Sequence, residues 1–438
     1  MPAAMEYMPD DKELRGAADA EFDERQRIAA RNWKYYRGDH KKPLKIEDGA
    51  DDNVVLNLCR PMVDRVMSFL FPDLPGMELD ELDDTMPEQW LKEVWEQSGG
   101  AVLLTNMALN GAMNGQVYAR VSEGENENEF PEIINLNPAN IITYWKADDY
   151  RKALWHEIRW QVGKTAYRQD IVKQETIWVI YDYKKDGSKW ELSQEVEWNS
   201  PLGPIVTWPH LPKPNEFYGE HELFHAALND AVNKVGSDAN KVLRFYGSPT
   251  TIGTGVEAGK IQQTQIGGLW TIPSADAQIY NIEMQSDLSA AMKYLQLLMD
   301  LFVLQSRVTM INASPDAFRG MTNLGVRATF MDMIQKNKTL RRMYGWGIQQ
   351  ISQRVLMVAN LPTLPYDKPP RLVWGEALPV DHREEVDLVQ KQRDMKLMSA
   401  RTAAKNLGLD FDAEVQRQME EMDIEGQLLD VRLNGPMS

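Results

Sequence analysis

Between residues 116 and 198 the chain carries a block of β-branched and aromatic segments, and this block limits the folds that are open to it. The segments are QVYARV, EIINL, IITYW, LWHEIRWQV, TIWVIYDY and KWELSQEVEW, with Gly, Pro, Asn and Asp between them. Short alternating segments separated by turn residues predict strands that pair with their neighbours, so we expect an antiparallel β unit. Helical periodicity dominates on both sides of the block, which predicts an α+β fold.

The chain before the block is predicted to be helical. Residues 10–36 are predicted to form a helix in which apolar positions are sparse, so we expect a mostly solvated helix or an arm. A short β-like run at 54–58 leads into a helix that carries Cys59 on its apolar face, where this residue would be a small core side chain. A further helix begins at residue 88 and is expected to break at Gly111, Asn114 and Gly115.

After the block the helical pattern returns. A Pro-rich connector spans residues 201–214, and helices are predicted at 219–245, 286–311, 324–358, 381–399, 399–407 and 412–433. A small β unit is predicted at 248–283, and RLVWG at 371–375 predicts one more strand. The helix at 324–358 would span roughly 50 Å, a length typical of a strut in a large assembly.

The composition is that of a folded protein with a strong acidic bias. Lys and Arg number 48 against 65 Asp and Glu, a formal net charge of −17. This balance argues against simple charge-driven binding to nucleic acid, but it is compatible with nucleic acid that must slide past. No apolar run approaches the ~20 residues of a membrane span, and residues 1–11 lack the pattern of a signal peptide. The single Cys59 excludes an internal disulfide, so we expect a reduced compartment.

One segment, HELFH at residues 221–225, matches the H-E-x-x-H pattern of zinc hydrolases. On a helix, His221 and His225 would lie one turn apart and could bind zinc, with Glu222 as the general base. A catalytic zinc needs a third protein ligand, and no later acidic residue has a common spacing for it. A zinc-dependent hydrolase is therefore the alternative interpretation, and we expect no catalytic residue, metal or cofactor.

A second segment, GTGVEAGK at residues 253–260, resembles a phosphate-binding loop only superficially. Gly255 and Gly259 are separated by three residues rather than four, and Ile261 follows Lys260 where Ser or Thr is required. These glycines are better explained as turn residues of the small β unit, so the sequence does not predict an ATPase.

Two sets of residues are candidates for contact with a nucleic-acid backbone. Lys234, Lys241 and Arg244 share one face of the predicted helix 219–245, although Asp238 can pair with Lys234. Arg319 and Asn323 lie in the breaker loop at 312–323. A solvated helix face and a mobile surface turn are the simpler interpretations of the two sets.

The order of these parts resembles that of the portal proteins of tailed bacteriophages. WKYYRGDHKKPLK and DDNVVLNLCRPMVDRVMSFLF resemble the family's N-terminal segment, and NGQVYARV with EIINLNPANIITYW is similar to its β-rich wing. GEHELFHAALNDAVNKVGSDANKVLRF resembles its stem helix, in a pattern carried by Leu228, Asn229, Asp230, Asn233 and Ser237. NLGVRATFMDMIQKNKTLRRM resembles the start of its long helix, and WGEALPVDHREEVDLVQ with MSARTAAKNLGL its strand and crown helices.

The resemblance implies a division of the chain. The portal fold has a β-rich wing, a helical stem, a small β clip, a long wing helix and a short helical crown. The implied parts are the N-terminal arm and wing at 1–215, a stem helix at 216–247, the clip at 248–283, a second stem helix at 284–312, a tunnel loop at 313–323, the long helix and return strand at 324–380, and the crown at 381–438.

The resemblance also implies a function. Twelve copies would form a homo-oligomeric ring at one vertex of the capsid, in the virion, after synthesis in the host bacterial cytoplasm. Double-stranded DNA would pass through the ring without sequence-specific contacts, driven in by the terminase large subunit and later ejected. Head-completion or tail adaptor proteins, the major capsid protein and scaffolding protein would bind the ring, and no membrane would be involved.

The same resemblance assigns candidate site residues. The DNA-tunnel candidates are Lys234, Lys241, Arg244, Arg319 and Asn323, and the tunnel loop would include Ser314, Pro315, Asp316, Phe318 and Gly320. The chain would not be an enzyme, because a separate motor ATPase would supply the energy.

Overall fold

Helices and antiparallel strands make up the fold. The computed structural model describes residues 12–46, 51–79, 86–124, 130–146, 148–175, 177–187, 189–198, 200–247, 251–254, 278–281, 288–309, 323–359, 369–375, 382–407, 411, 414–419 and 422. The helices are α1 (Lys12–Arg37), α2 (Cys59–Leu70), α3 (Met86–Gln97), α4 (Gly100–Asn114), α5 (Ala226–Gly247), α6 (Leu288–Ser306), α7 (Asn323–Thr329), α8 (Met331–Val358), α9 (His382–Asp394) and α10 (Ala400–Asn406). The strands are β1 (Gly76–Glu78), β2 (Gln116–Ser122), β3 (Glu132–Leu136), β4 (Ile141–Lys146), β5 (Asp149–Val162), β6 (Thr165–Gln174), β7 (Ile177–Asp186), β8 (Lys189–Trp198), β9 (Ile205–Pro209), β10 (Thr251–Thr254), β11 (Gln278–Asn281) and β12 (Arg371–Val373). The predicted α+β class is confirmed.

The β block forms two antiparallel sheets. β4 to β8 make a five-stranded meander in chain order, whereas β2 lies between β3 and β9 in a three-stranded sheet. The antiparallel pairing is confirmed, but the sequence did not predict β6 or β9. β6 contains Arg168 and Asp170, which form an ion pair with each other within the sheet. These charged residues interrupt the alternation of apolar and polar residues that would have indicated a strand. β9 lies in the Pro-rich connector, and Pro209 is tolerated because β9 is an edge strand.

The largest hydrophobic core lies between helices α2, α4 and α8 and the three-stranded sheet. Trp95, Trp208 and Tyr344 are among its largest fully buried side chains. Cys59 is fully buried there, as predicted, and burial raises the pKa of its thiol to about 12. β12, the predicted RLVWG strand, pairs antiparallel with β1 beside this core.

Helix α1 is docked on the protein, so the prediction of a mostly solvated arm was wrong for its middle and its end. Ala18 and Phe22 pack in a small core with Tyr144, Trp155 and neighbouring residues of the five-stranded sheet. Asn32 is buried and donates from Nδ2 to the carbonyl of Met113 at 2.8 Å. The partners lie more than 80 residues away in the chain, where the sparse apolar pattern of α1 could not indicate them.

Glycines divide the helical stretch from residue 86 differently from the prediction. Gly99 (φ 112°) and Gly100 (φ 53°) separate α3 from α4, because their left-handed conformations interrupt a helix. Gly111 was expected to break the helix but lies inside α4. A Cβ on Gly111 would lie 2.3 Å from the hydroxyl of Tyr344, so this glycine permits close packing. Gly115 ends α4 in a left-handed conformation, as expected.

The later helices are shorter than predicted. The helix expected at 324–358 is divided into α7 and α8 at Phe330, whose φ of −94° and ψ of 8° leave the helical region. Phe330 stacks on Phe69, with ring centroids 5.9 Å apart. α5 begins at Ala226 rather than at 219, and α6 (Leu288–Ser306) ends at Ser306 rather than at 311. Within the region predicted as a small β unit, β10 and β11 pair antiparallel, and the rest of 248–283 lies outside the described residues.

Two glycines of α8 provide a matched test of the core. A Cβ at Gly347 would lie 2.6 Å from the indole ring of the buried Trp208, whereas at Gly345 the nearest atom is 3.5 Å away. We expect Gly347→Ala to lower the free energy of unfolding by about 1–3 kcal/mol through overpacking. We expect Gly345→Ala to raise it by up to about 1 kcal/mol through helix propensity. Urea unfolding of the two variants measures both effects, and equal midpoints would contradict the packing argument.

The chain divides into two compact units. The first comprises residues 1–321 and 325–375, and the second comprises 322–324 and 376–438. In the second unit α10 contacts α9, and Val389 and Ala403 are buried. The helix predicted at 412–433 lies largely outside the described residues, with 414–419 helical. Within the described part of the chain, no helix has the length and apolar character to span a membrane.

Candidate nucleic-acid interface

The helix that carries three of the candidate residues, α5, is held by a ladder of side-chain hydrogen bonds to residues 52–58. The side-chain oxygens of Asn229, Asn233 and Ser237 accept from the backbone N–H groups of Leu58, Leu56 and Val54 at 2.8, 2.9 and 2.9 Å. Every fourth residue of the helix meets every second residue of the segment, because four helical residues and two extended residues both advance about 6 Å. The β-like run at 54–58 therefore bonds to a helix rather than forming a strand.

This ladder gives a physical role to the stem-helix pattern. Asn229, Asn233 and Ser237 are each almost fully buried, and all three side chains also donate to backbone carbonyls. Buried polar side chains are normally hydrogen-bonded, and here they satisfy the backbone of a segment that has no strand partner. The pattern therefore fixes one face of α5 against residues 52–58 and leaves the adjacent face exposed.

The three basic residues of α5 are exposed, and carboxylates lie close to Lys234 and Arg244. Lys234 Nζ lies 2.8 Å from Asp238 Oδ1, which confirms the predicted pairing. Arg244 Nη2 lies 2.9 Å from Asp52 Oδ2, at the end of the ladder. Lys241 lies between them on the helix and is also exposed. The positive charge of this surface is therefore partly neutralised before any ligand approaches.

The second set of candidates lies mostly outside the described residues. Ser314, Pro315, Asp316, Phe318, Arg319 and Gly320 are not described, and Asn323 is the first residue of α7, without a described side chain. The chain on either side of this segment is well anchored. Arg65 Nη1 donates to the carbonyl of Thr309 at 2.6 Å, and the hydroxyl of Thr309 donates to the carbonyl of Thr329 at 3.0 Å.

The HELFH segment has a structural role. Residues 221–225 form turns before α5, so His221 and His225 do not have the helical geometry that the zinc interpretation requires. Glu222 is fully buried and lies 2.5 Å from Nζ of Lys336 and 3.1 Å from Nε2 of His210. Among the described residues no group of three or more His, Cys, Asp or Glu side chains is arranged to hold a metal ion.

Glu222 is the centre of a buried network that joins four parts of the first unit. Lys336 of α8 also donates to the carbonyl of Ser306 at the end of α6, at 2.9 Å. His210 follows β9, and its Nδ1 lies 2.7 Å from the hydroxyl of Tyr344. Burial alone would raise the pKa of Glu222, but the charge of Lys336 and the hydrogen bond from His210 outweigh it and hold this pKa at about 2. Glu222 is therefore an ionised anchor and not a general base.

The sequence did not indicate the other members of this network. His210, Lys336 and Tyr344 lie 12, 114 and 122 residues from Glu222 along the chain, and no short motif contains them. The one available signal was Lys336, a charged residue on the otherwise apolar face of α8 that includes Met333, Leu340 and Tyr344. A cation at such a position predicts a buried anion, although it does not identify which one.

Buried histidines make the fold sensitive to acid. Neither ring nitrogen of His225 has a hydrogen-bond partner among the described residues, and its ring packs edge-on against Phe302. Burial lowers the pKa of His225 to about 4, and burial with the nearby Arg354 lowers that of His156 to about 3. Both pKa values lie below the ordinary value of 6.5. Below pH 6.5 these histidines therefore bind more protons in the unfolded chain than in the folded chain.

We expect the free energy of unfolding to decrease between pH 6.5 and 4, by at most about 1.4 kcal/mol per pH unit for each of these histidines. His225→Leu removes one titrating group, and it also removes two unpaired buried nitrogens. The variant should therefore be at least as stable as the wild type at pH 7, with a shallower loss toward pH 4. Thermal unfolding at a series of pH values measures this slope. Phe224→Leu, which removes no titrating group at the adjacent position, is the control and should leave the slope unchanged.

Helix α6 presents apolar side chains to solvent. Met292, Tyr294 and Leu297 are each 51% exposed, and Leu304 is 67% exposed. On the opposite side of this helix Leu298 and Phe302 are buried. The polar residues Lys293, Gln296 and Asp300 are exposed on the same helix, so the outer side of α6 is a mixed surface that includes four large apolar side chains.

Comparison with known proteins identifies the family. The family model described as "Phage portal protein, SPP1 Gp6-like" matches residues 18–427. Comparison with curated protein sequences finds no match. Among solved structures, the chain is similar to a chain of the "Neck of empty GTA particle computed with C6 symmetry", with 13% identity and a TM-score of 0.45, over 80% of this chain and 90% of that chain. Because the family model extends from α1 to beyond α10, the chain belongs to the SPP1 Gp6-like family of phage portal proteins, which are structural proteins and not enzymes.

Proposed function

We propose that the chain is the subunit of a twelve-membered portal ring at a unique vertex of the capsid. Double-stranded DNA passes through the central channel, driven by the terminase large subunit during packaging, and leaves by the same route during ejection. A head-completion or tail adaptor protein docks on the ring afterwards. The ring assembles with scaffolding and major capsid proteins in the host cytoplasm and remains in the virion.

The exposed apolar surface of α6 is the observation that carries the proposal of a ring. Four large apolar side chains on one helix are at least half exposed in the single chain, while the opposite side of the helix is packed. Large exposed apolar side chains with polar residues among them are typical of a protein–protein interface. A neighbouring copy that covers α6, and presents its own α6 to the next copy, makes a heterologous contact that closes into a ring.

The charge distribution supports passive movement of DNA. Each chain carries a formal charge of −17, so twelve copies carry −204. A channel wall that carries a share of this negative charge repels phosphates and gives a sliding duplex no deep energy minimum. The ion pairs Lys234–Asp238 and Arg244–Asp52 weaken the attraction of the basic side chains on α5. Such side chains contact the phosphate backbone without reading the base sequence.

The same proposal assigns a residue range to each named part of the portal. The wing comprises residues 1–215, the stem 216–247 and 284–312, the clip 248–283, the long helix and return strand 324–380, and the crown 381–438. Residues 313–323 are assigned to the tunnel loop, with Arg319 and Asn323 as DNA contacts, and Asn323 at its end is also the first residue of α7. The bonds of Arg65 and Thr329 to Thr309 support this assignment, because a loop that meets moving DNA needs a firm base.

Electron microscopy of the purified protein tests the ring. We expect particles with twelve-fold symmetry and an open centre wide enough for a DNA duplex, and no ATP hydrolysis by the same preparation. Capsids assembled without this chain should contain no nuclease-protected DNA. A chain that stays solitary in solution and in the virion, a closed centre in every assembled state, or DNA-filled capsids without the chain would contradict the proposal.

A further inference from the structure

A cavity in the first unit is lined by none of the proposed DNA contacts. It has a volume of about 540 Å³ and is lined by α1, by the end of β4 and by the loop at 212–219. The loop is closed at its base, where the N–H of Glu220 donates to the carbonyl of Leu211 at 2.7 Å. This isolated backbone bridge joins the two ends of the loop that forms part of the cavity wall.

One wall of the cavity is aromatic. The rings of Trp145 and Phe217 are stacked with their centroids 4.8 Å apart, and Tyr218 meets Trp145 edge-on. The guanidinium of Arg25 lies 4.1 Å from the centre of the Tyr218 ring. This aromatic cluster therefore already accepts one guanidinium by a cation–π contact.

Three residues that line the cavity carry buried polar atoms without hydrogen-bond partners in the described part of the chain. These atoms are Nε of Arg25, Oδ1 of Asn114 and Nδ1 of His221. Buried polar atoms are nearly always hydrogen-bonded, and those without a partner require an explanation. The three atoms are themselves buried, and Nε of Arg25 is a donor, so the nature of a ligand is indicated by the aromatic wall and the charges of the cavity rather than by these atoms.

The charges of the cavity favour a cation. Four carboxylates and two cationic side chains line it. The carboxylates belong to Glu21, Asp148, Glu216 and Glu220, and the cations are Arg25 and Lys213. Lys213 lies 3.0 Å from Glu216 and 3.9 Å from Glu220, and Lys146 lies 2.8 Å from Asp148. Among the residues that the structure describes, Glu21 forms no ion pair. Burial raises the pKa of this carboxyl, although Arg25 opposes the shift.

We propose that this cavity binds an arginine side chain presented by a partner protein. The guanidinium stacks on the aromatic wall and donates to the carboxylate of Glu21. Arginine fits better than lysine, because a planar guanidinium has five donors and stacks on aromatic rings, whereas an ammonium is a compact and strongly hydrated charge. A nucleic acid is disfavoured, because its phosphates would meet an excess of carboxylates. The proposal is independent of the ring and of the DNA channel.

Titration calorimetry with the full-length protein tests the proposal. The probes are the capped peptide acetyl-Gly-Arg-Gly-amide and its Lys and Gln analogues, at millimolar concentration. We expect the Arg peptide to bind most tightly, the Lys peptide more weakly and the Gln peptide not at all. Glu21→Gln should weaken binding of the Arg peptide by at least about fivefold, because it removes the charge that the guanidinium meets.

The control variant is Glu24→Gln on the same helix. Glu24 is exposed, pairs with Arg27 and does not line the cavity, so this variant should bind the Arg peptide as the wild type does. Absence of binding by the Arg peptide, equal binding of the Gln peptide, or equal affinity of Glu21→Gln and the wild type would each overturn the proposal. Circular dichroism of both variants confirms that they are folded.

Discussion

Replacing Lys336 by Met is expected to lower the free energy of unfolding by about 3–5 kcal/mol, one of the largest effects of any single substitution in this chain. Nζ of Lys336 lies 2.5 Å from Glu222, whose side chain is fully buried, so the variant leaves a carboxylate in the core without its principal counter-charge. The carbonyl of Ser306 at the end of α6 also loses its donor. His210 remains as a partner of Glu222, but one hydrogen bond does not replace an ion pair.

A matched control distinguishes the effect of leaving a buried charge unpaired from the effect of losing an exposed ion pair. Lys234→Met removes the partner of Asp238, and both of these side chains are about half exposed. Exposed pairs contribute about 0–1 kcal/mol, so this variant should unfold near the wild-type urea concentration. The double variant Lys336→Met with Glu222→Leu removes both buried charges. It should recover much of the free energy of unfolding that Lys336→Met loses. Tryptophan fluorescence during urea unfolding measures all three, and equal destabilisation by Lys336→Met and Lys234→Met would contradict the role of burial.

Much of the fold could be predicted from local patterns. The apolar face of α2, the periodicity of α5 and the alternation in most of the β block depend on residues close together in the chain, where propensity and side-chain periodicity act directly. The same local reasoning missed β9, because prolines around Trp208 suggested a connector. It also placed a helix break at Gly111, although this glycine is required by the hydroxyl of Tyr344, more than 200 residues away.

The partners of buried polar residues were harder to predict than the helices and strands that carry them. The HELFH pattern suggested two metal ligands and a base, but the ionised Glu222 is paired with a lysine that only the tertiary fold brings near. The polar pattern of α5 was noticed as a family feature, and its hydrogen bonds to residues 52–58 became clear only from the coordinates. Such networks join segments far apart in sequence, so composition and spacing cannot identify their partners.

Helix α6 is rich in apolar residues, and its sequence does not indicate which of them are exposed in the single chain. Leu298 and Phe302 face the rest of the first unit, and Leu297 and Leu304 face solvent. A prediction from periodicity would assign all of these residues to one core. The exposed half is explained if a second copy of the chain supplies the missing contact, which is a property of the assembly and not of the single chain.

Leu297→Glu is expected to abolish ring formation while the single chain remains folded. Leu297 is 51% exposed on α6, so a charge there is solvated in the free chain but must be buried without a partner when a second copy covers the helix. In our proposal each ring repeats the contact twelve times. A loss of even a few kcal/mol of association free energy at each interface therefore prevents the closed assembly. Size-exclusion chromatography and negative-stain microscopy measure the loss, and circular dichroism measures the fold.

The matched control is Leu192→Glu on β8, the same substitution at a position that is 53% exposed on the five-stranded sheet. If the α6 surface is the contact between copies, Leu192→Glu forms rings and Leu297→Glu does not. Rings from both variants would show that the exposed apolar face of α6 lies outside the interface, and a ring would then need another surface to hold it. Loss of rings in both would mean that added negative charge alone, on a chain that already carries −17, prevents association.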